Sequence, residues 1–126
     1  MATILVLDDE PDAVVLMQRV LKRKGHEVSA FTEEEQAIAF ARSCPIDLAI
    51  LDIKLKKMSG VEVLEELKQI NPAMHAMMLT GFPTIETTRK ALDLGADEYC
   101  VNPLEIEELE RKVASIIGRK DETHDP

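Results

Sequence analysis

The segment Leu48-Ala49-Ile50-Leu51-Asp52 sets the terms on which this chain folds. Four consecutive apolar residues are too few for a helix of their own. Without alternation they are also too apolar for a strand with one wet face, so they suit a parallel strand covered on both sides. Such a strand delivers the next residue to the carboxyl edge of the sheet, where open α/β folds bind their ligands. The residue delivered here is an acid, Asp52. The pattern has a counterpart near the start of the chain, where Ile4-Leu5-Val6-Leu7 runs directly into Asp8-Asp9-Glu10.

The segments between such runs read as helices. Pro11 suits a first helical position, Ala13, Leu16, Met17 and Val20 recur at helical spacing, and Lys22, Arg23 and Lys24 complement the carboxyl end before Gly25 caps it. Glu27 to Phe31 reads as a second strand. Thr32 and Glu35 have the offset of a capping box opening a helix to about Arg42, which Cys44-Pro45 stops. After the 48–51 strand, the loop from Asp52 to Ser59 carries Lys54, Lys56 and Lys57. Ser59 and Glu62 form a second capping-box pattern, with Val63, Leu64, Leu67 and Ile70 as the inward stripe and Asn71-Pro72 as the stop. Ala76 to Leu79 is the fourth strand, ending at Thr80-Gly81. Pro83 opens a fourth helix with Ile85, Thr88, Ala91 and Leu92 inward and Gly95 as its cap. Glu98 to Val101 is the fifth strand. Asn102-Pro103 starts the last helix, with the stripe Ile106, Leu109, Val113 and Ile116 and Gly118 after it. Five strands alternating with five helices at short spacing predict a doubly wound α/β sandwich around a parallel sheet. The domain is expected over 1–118, with 119–126 a flexible tail or the start of a linker.

Composition narrows the function. At 126 residues the chain is long enough for one substantial core, and with three Phe, one Tyr and no Trp that core is aliphatic. A formal charge of −9 argues against a nucleic-acid surface, which needs clustered Lys and Arg. Cys44 and Cys100 lack CxxC spacing and are expected to be buried free thiols in a reducing compartment. No signal peptide or membrane-length apolar run is seen, so a cytoplasmic protein is expected. His26, His75 and His124 have no partners at useful spacing and are assigned no chemistry.

If the first and third strands are neighbours, Asp8, Asp9 and Asp52 converge. Three carboxylates within a few ångströms repel by about 1–4 kcal/mol per pair, and a hard divalent ion with oxygen ligands offsets this best. Without His or Cys nearby, zinc is disfavoured. Each residue has a plainer reading alone: acids before a helix serve its dipole, Thr80-Gly81 makes a turn, and Tyr99 packs. Their joint placement at strand ends is what such accidents do not explain.

Asp8-Asp9 after the first strand, Asp52 after the third, Thr80 after the fourth and Tyr99 in the fifth, with Gly60 and Asn102-Pro103 in place, closely resemble the receiver domain of bacterial two-component response regulators. The resemblance covers about residues 3–118. It implies a flavodoxin-like sheet of order 2-1-3-4-5. It further implies that Asp52 is the phosphoacceptor for a sensor histidine kinase or phosphotransfer protein. Mg²⁺ would be held by Asp9, Asp52 and the backbone carbonyl of Lys54, with Asp8 acting largely through water. Thr80 and Tyr99 would act as the switch, and output would pass through the fourth helix, fifth strand and fifth helix to an output domain, a target or a second copy in a homodimer. Such a domain performs only its own phosphorylation and dephosphorylation and is no general enzyme.

Two departures from the family pattern stand out. Asn102 occupies the usual lysine position, so a charge-assisted bond of about 1.5–3 kcal/mol becomes at best a neutral one of about 0.5–1.5 kcal/mol. Asn102 also has the offset to Glu105 of a helix cap. Phosphorylation is therefore expected to survive better than its coupling to the switch. Lys56 stands where the family often has proline, which loosens the loop after Asp52. A cis bond is expected at Asn102-Pro103. The rival readings are a pseudo-receiver that binds proteins independently of phosphorylation, favoured by Asn102, and a small Mg²⁺-dependent phosphohydrolase. The second would want an Asp-x-Asp pair and a cap domain, and this chain has Asp8-Asp9-Glu10 and no spare length.

Overall fold

Continuous apolar runs become the three central strands of a single sheet, two shorter or mixed segments become its edges, and each strand is followed by a helix. The computed structural model describes residues 2–55 and 57–122, in the order β1 (Thr3–Leu7), α1 (Pro11–Arg23), β2 (Glu27–Phe31), α2 (Glu34–Ser43), β3 (Leu48–Asp52), α3 (Gly60–Ile70), β4 (His75–Thr80), α4 (Ile85–Asp93), β5 (Glu98–Val101) and α5 (Ile106–Glu122). All strand pairs are parallel and their order is β2-β1-β3-β4-β5, as expected.

The two-residue period of a strand divides the apolar runs between two cores. Leu5, Leu7, Ala49, Leu51, Ala76 and Met78 face α2 and α3, with Ala91 of α4 joining them. Ile4, Val6, Leu48, Ile50, Met77 and Leu79 face α1 and α5. Both faces of β1, β3 and β4 are therefore dry, which is why these strands read as unbroken rather than alternating hydrophobic.

Helix ends and faces depart from the sequence reading in several places. The Thr32–Glu35 capping box does not form: α2 starts at Glu34, and Glu33, at the cap position, makes no side-chain capping bond. The Ser59–Glu62 box does form, with Ser59 Oγ accepting from Glu62 N at 3.2 Å and Glu62 Oε1 accepting from Ser59 N at 3.4 Å. In α1, Leu16 is exposed, and Val14 and Leu21 are buried with Met17 and Val20. α4 begins at Ile85, capped by Thr84, whose hydroxyl accepts from Thr87 N at 3.1 Å. Ile85 is 80% and Leu92 52% exposed, and Ala91 is the buried residue of this helix, so its expected inward stripe is largely an outward one. Asn102 does not cap α5, which starts only at Ile106, itself exposed; Leu109, Val113 and Ile116 carry the packing. The helix continues through Gly118 to Glu122, and the rest of the expected tail, residues 123–126 with His124, lies outside the described residues.

Gly25 and Gly95, at φ of 92° and 94°, occupy the left-handed conformation expected after α1 and α4. The Asn102-Pro103 bond is cis. Cys100 is buried and Cys44 only partly so, both free. His75 faces Asp97 at 3.1 Å and His26 Nδ1 accepts from Ala2 N at 3.2 Å; both tie strand starts to neighbouring loops. Among the described residues no helix is long and apolar enough to cross a membrane.

Candidate functional site

β1 and β3 lie side by side with Leu7 opposite Leu51, so the residues that follow them leave the sheet together. Asp8, Asp9 and Asp52 each bring a carboxylate oxygen to a point where all three lie within 4.8 Å of one another. Asp8 is buried, Asp9 and Asp52 partly so. None of the ion pairs among the described residues involves any of the three. Backbone amides do what they can: Glu10 N donates to Asp8 Oδ1 at 2.9 Å and Lys54 N to Asp52 Oδ1 at 3.4 Å.

The electrostatic result follows. Burial pushes the Asp8 carboxyl above the ordinary aspartate range, against the bond from Glu10, and Asp9 adds to the rise. Burial, then the charge of Asp8, pushes Asp52 up to about 6. Three oxygen donors of like charge, with no lysine or arginine among the described residues paired to them, form the donor set that a hard divalent cation takes. The convergence expected from the strand ends is thus met in the structure, with the Lys54 backbone at the same edge.

Thr80 ends β4 two strands away from β1. It is 2% exposed, and its hydroxyl accepts from Phe82 N at 3.1 Å. Lys54 Nζ lies 5.2 Å from the centre of the Phe82 ring, a cation–π contact at the mouth of the site. Lys54, Thr80 and Phe82 line a shallow cleft of about 400 Å³ together with Ser59 and Glu62. Tyr99 lies further along the sheet in β5, opposite Met78, with its hydroxyl 3.0 Å from Thr87 Oγ1 of α4. Asn102 follows β5, donates its backbone N–H to Thr80 O at 2.7 Å, and lines an apolar cleft of about 420 Å³ between α1 and α5 whose polar end is Asp8. Asp8, Asp9, Asp52, Lys54 and Thr80 are therefore gathered at one edge. Tyr99 bonds to α4 instead, and Asn102 shares with Asp8 the cleft between α1 and α5.

Two residues gain an importance that the sequence did not signal or only half signalled. A side chain on Gly60 would collide with the Asp52 carbonyl, so α3 approaches the end of β3 only because this residue has none. The approach is fixed by Gly60 N donating to Ile53 O at 2.7 Å. Glu34 is 2% exposed, and its Oε2 accepts from Lys57 N at 2.7 Å and Met58 N at 3.1 Å in the loop after Asp52. In the sequence it is one of three consecutive glutamates, and nothing in that run marks which one turns inward.

Comparison with known proteins agrees with this geometry. The family model described as "Response regulator receiver domain" matches residues 4–114. The alkaline phosphatase synthesis transcriptional regulatory protein PhoP of Bacillus subtilis is 35% identical over 118 residues, covering 94% of this chain and 49% of that protein. A receiver domain protein from Methanospirillum hungatei superimposes with a TM-score of 0.91 at 28% identity, covering 97% of this chain and 98% of that one. A response regulator from Burkholderia pseudomallei gives a TM-score of 0.82 at 25% identity over 100% of this chain and 76% of that one. The chain spans about a quarter to a half of the length of the curated relatives it matches. With the sheet order, the carboxylate cluster and a family match over most of its length, this chain belongs to the receiver domains of two-component response regulators.

Proposed function

We propose that Asp52 accepts a phosphoryl group from a phosphohistidine of a sensor kinase or phosphotransfer protein, in the presence of Mg²⁺. The observation that carries this is the three-carboxylate cluster, to which no cation of the described residues is paired. The side chains of Asp8, Asp9 and Asp52 and the backbone carbonyl of Lys54 would hold the ion. When bound, it offsets the charge of the carboxylates and of the phosphoryl oxygens, most of what phosphoryl transfer asks of a site.

The chain's own residues supply the rest. An ionised Asp52 oxygen attacks phosphorus in line with the leaving imidazole; the O–P bond forms as the N–P bond breaks, and the imidazole nitrogen takes a proton. Thr80, at the same edge, offers a hydroxyl to the new phosphoryl oxygens. Its oxygen already accepts from Phe82 N, which leaves the O–H hydrogen free to donate. The Burkholderia relative carries a phosphorylated aspartic acid and a calcium ion, which supports acid chemistry with a hard cation in this fold.

Output is proposed to pass through the face that bears Phe82, Ile85, Leu92, Val101 and Ile106, all exposed. Its partner is an output domain, a target protein or a second copy, and Tyr99 links this face to β5 through Thr87. Incubation with acetyl phosphate and Mg²⁺ followed by mass spectrometry tests the reading: one phosphoryl adduct on Asp52, absent from Asp52→Asn, is expected, and no adduct overturns it. Asn102 favours a second reading, a binding module indifferent to phosphorylation, because the residue after β5 that shares a cleft with Asp8 is uncharged. Wild type and Asn102→Lys are expected to label alike while the variant shows the larger change in its amide spectra. Equal spectral change in both would remove Asn102 from the switch.

A further inference from the structure

Glu34 opens α2, yet its carboxylate does not serve that helix. It is 2% exposed, and among the described residues no lysine or arginine pairs with it. A buried carboxylate persists only where donors replace its lost water. Those donors are Lys57 N at 2.7 Å and Met58 N at 3.1 Å, both on Oε2 and both in the loop joining β3 to α3. The neighbouring Glu35 adds a second strap, its Oε1 3.2 Å from Lys57 Nζ.

That loop is fixed at three places. Ile53 N donates to Leu79 O at 2.9 Å at its start, and Gly60 N donates to Ile53 O at 2.7 Å at its end. Glu34 holds the span between. Lys54 lies between the first pin and the Glu34 clasp, with its amide on Asp52 Oδ1 at 3.4 Å. Without the clasp, the described part of this loop keeps between its ends the exposed Glu35–Lys57 pair and the packing of Leu55 and Met58 on the core, but loses the bonds that fix its backbone amides at Lys57 and Met58.

We infer that Glu34 is a positioning residue for the Asp52 site, acting through the β3–α3 loop to hold the Lys54 backbone against the carboxylate cluster. It extends the site to α2, on the far side of the loop from the reacting atoms. The inference rests on reading Asp52 as a phosphoacceptor that works with Mg²⁺.

The test compares the full chain with Glu34→Ala, Glu34→Asp and Glu34→Gln, measuring Mg²⁺ affinity by calorimetry, Asp52 labelling by acetyl phosphate at saturating Mg²⁺, and Tm. Groups that orient metal ligands typically contribute ten- to a hundredfold in affinity, so Glu34→Ala is expected to weaken Mg²⁺ binding by about tenfold or more and to slow labelling. Glu34→Asp keeps the charge but falls short by a methylene, and is expected to follow alanine. Glu34→Gln keeps one oxygen able to accept from both amides and is expected to stay within about threefold of wild type. A fall in Tm with unchanged Mg²⁺ affinity in all three variants overturns the inference and leaves Glu34 a packing residue. A wild type that binds Mg²⁺ but is never labelled overturns the phosphoacceptor reading alone, since the affinities still decide the role of Glu34. A wild type that neither binds Mg²⁺ nor is labelled overturns both.

Discussion

Asp52 sets two demands against each other. As the proposed nucleophile it must be ionised, while burial and the charge of Asp8 raise its pKa to about 6 from an ordinary 3.8. An acid with a raised folded-state pKa binds its proton more tightly folded than unfolded. Stability therefore falls as pH climbs from about 4 to about 6 and stays lowered above that, with an upper bound of about 3 kcal/mol for this one group. Asp8 shifts in the same direction. Metal-free wild type is accordingly expected to lose stability across that window in urea titrations, and Asp52→Asn to be more stable than wild type at pH 8 by about 1–3 kcal/mol. A variant no more stable than wild type would mean that Asp52 is not strained in the fold. Gly60→Ala tests the other close contact: with the Asp52 carbonyl in the way, a cost of about 1–3 kcal/mol and weaker Mg²⁺ binding are expected. The carboxylates were legible in the sequence because each follows an uninterrupted apolar run, and runs of that kind end at one edge. Glu34 was not legible, because its role depends on a loop brought to it by the packing of α2 beside α3.

Elements differ in how firmly they are held. α3 buries Val61, Val63, Leu64 and Leu67, so Leu64→Ala is expected to cost about 2–5 kcal/mol. α4 buries only Ala91, with Ile85 and Leu92 turned outward. Ile85→Ser is expected to change stability by no more than about 0.5 kcal/mol, measured by urea unfolding. The amides of α4 are expected to exchange with deuterium well before those of α3, since a helix with one buried residue opens with little loss. The central strands β1, β3 and β4 are legible almost to the residue because an unbroken apolar run suits a strand dry on both faces, and the edge strands β2 and β5 are legible from their place between helix patterns. Helix faces were harder. α1 offers Ala13, Val14, Val15, Leu16 and Met17 in a row, so more than one stripe fits, and the winner is decided by the sheet beneath. Asn102-Pro103 looked like a helix start because cap chemistry and proline coincide there, but α5 begins only at Ile106, after a short loop that follows β5.

At the scale of the molecule, the sheet separates two cores that meet only through its strands, and the acidic cluster sits where β1 and β3 emerge between them. Any ion bound there stabilises the whole domain by mass action, about 2.7 kcal/mol at a concentration a hundredfold above Kd. Mg²⁺ is therefore expected to raise the Tm of wild type, EDTA to reverse it, and Asp52→Asn to respond far less. One further feature bears on how such changes are watched. The chain contains a single tyrosine and no tryptophan. That tyrosine, Tyr99, is anchored through its hydroxyl to Thr87, across the joint between β5 and the least buried helix. Tyrosine emission from this protein thus arises at one known location, and a shift in its intensity or lifetime reads the state of that joint directly, with no dye or engineered label.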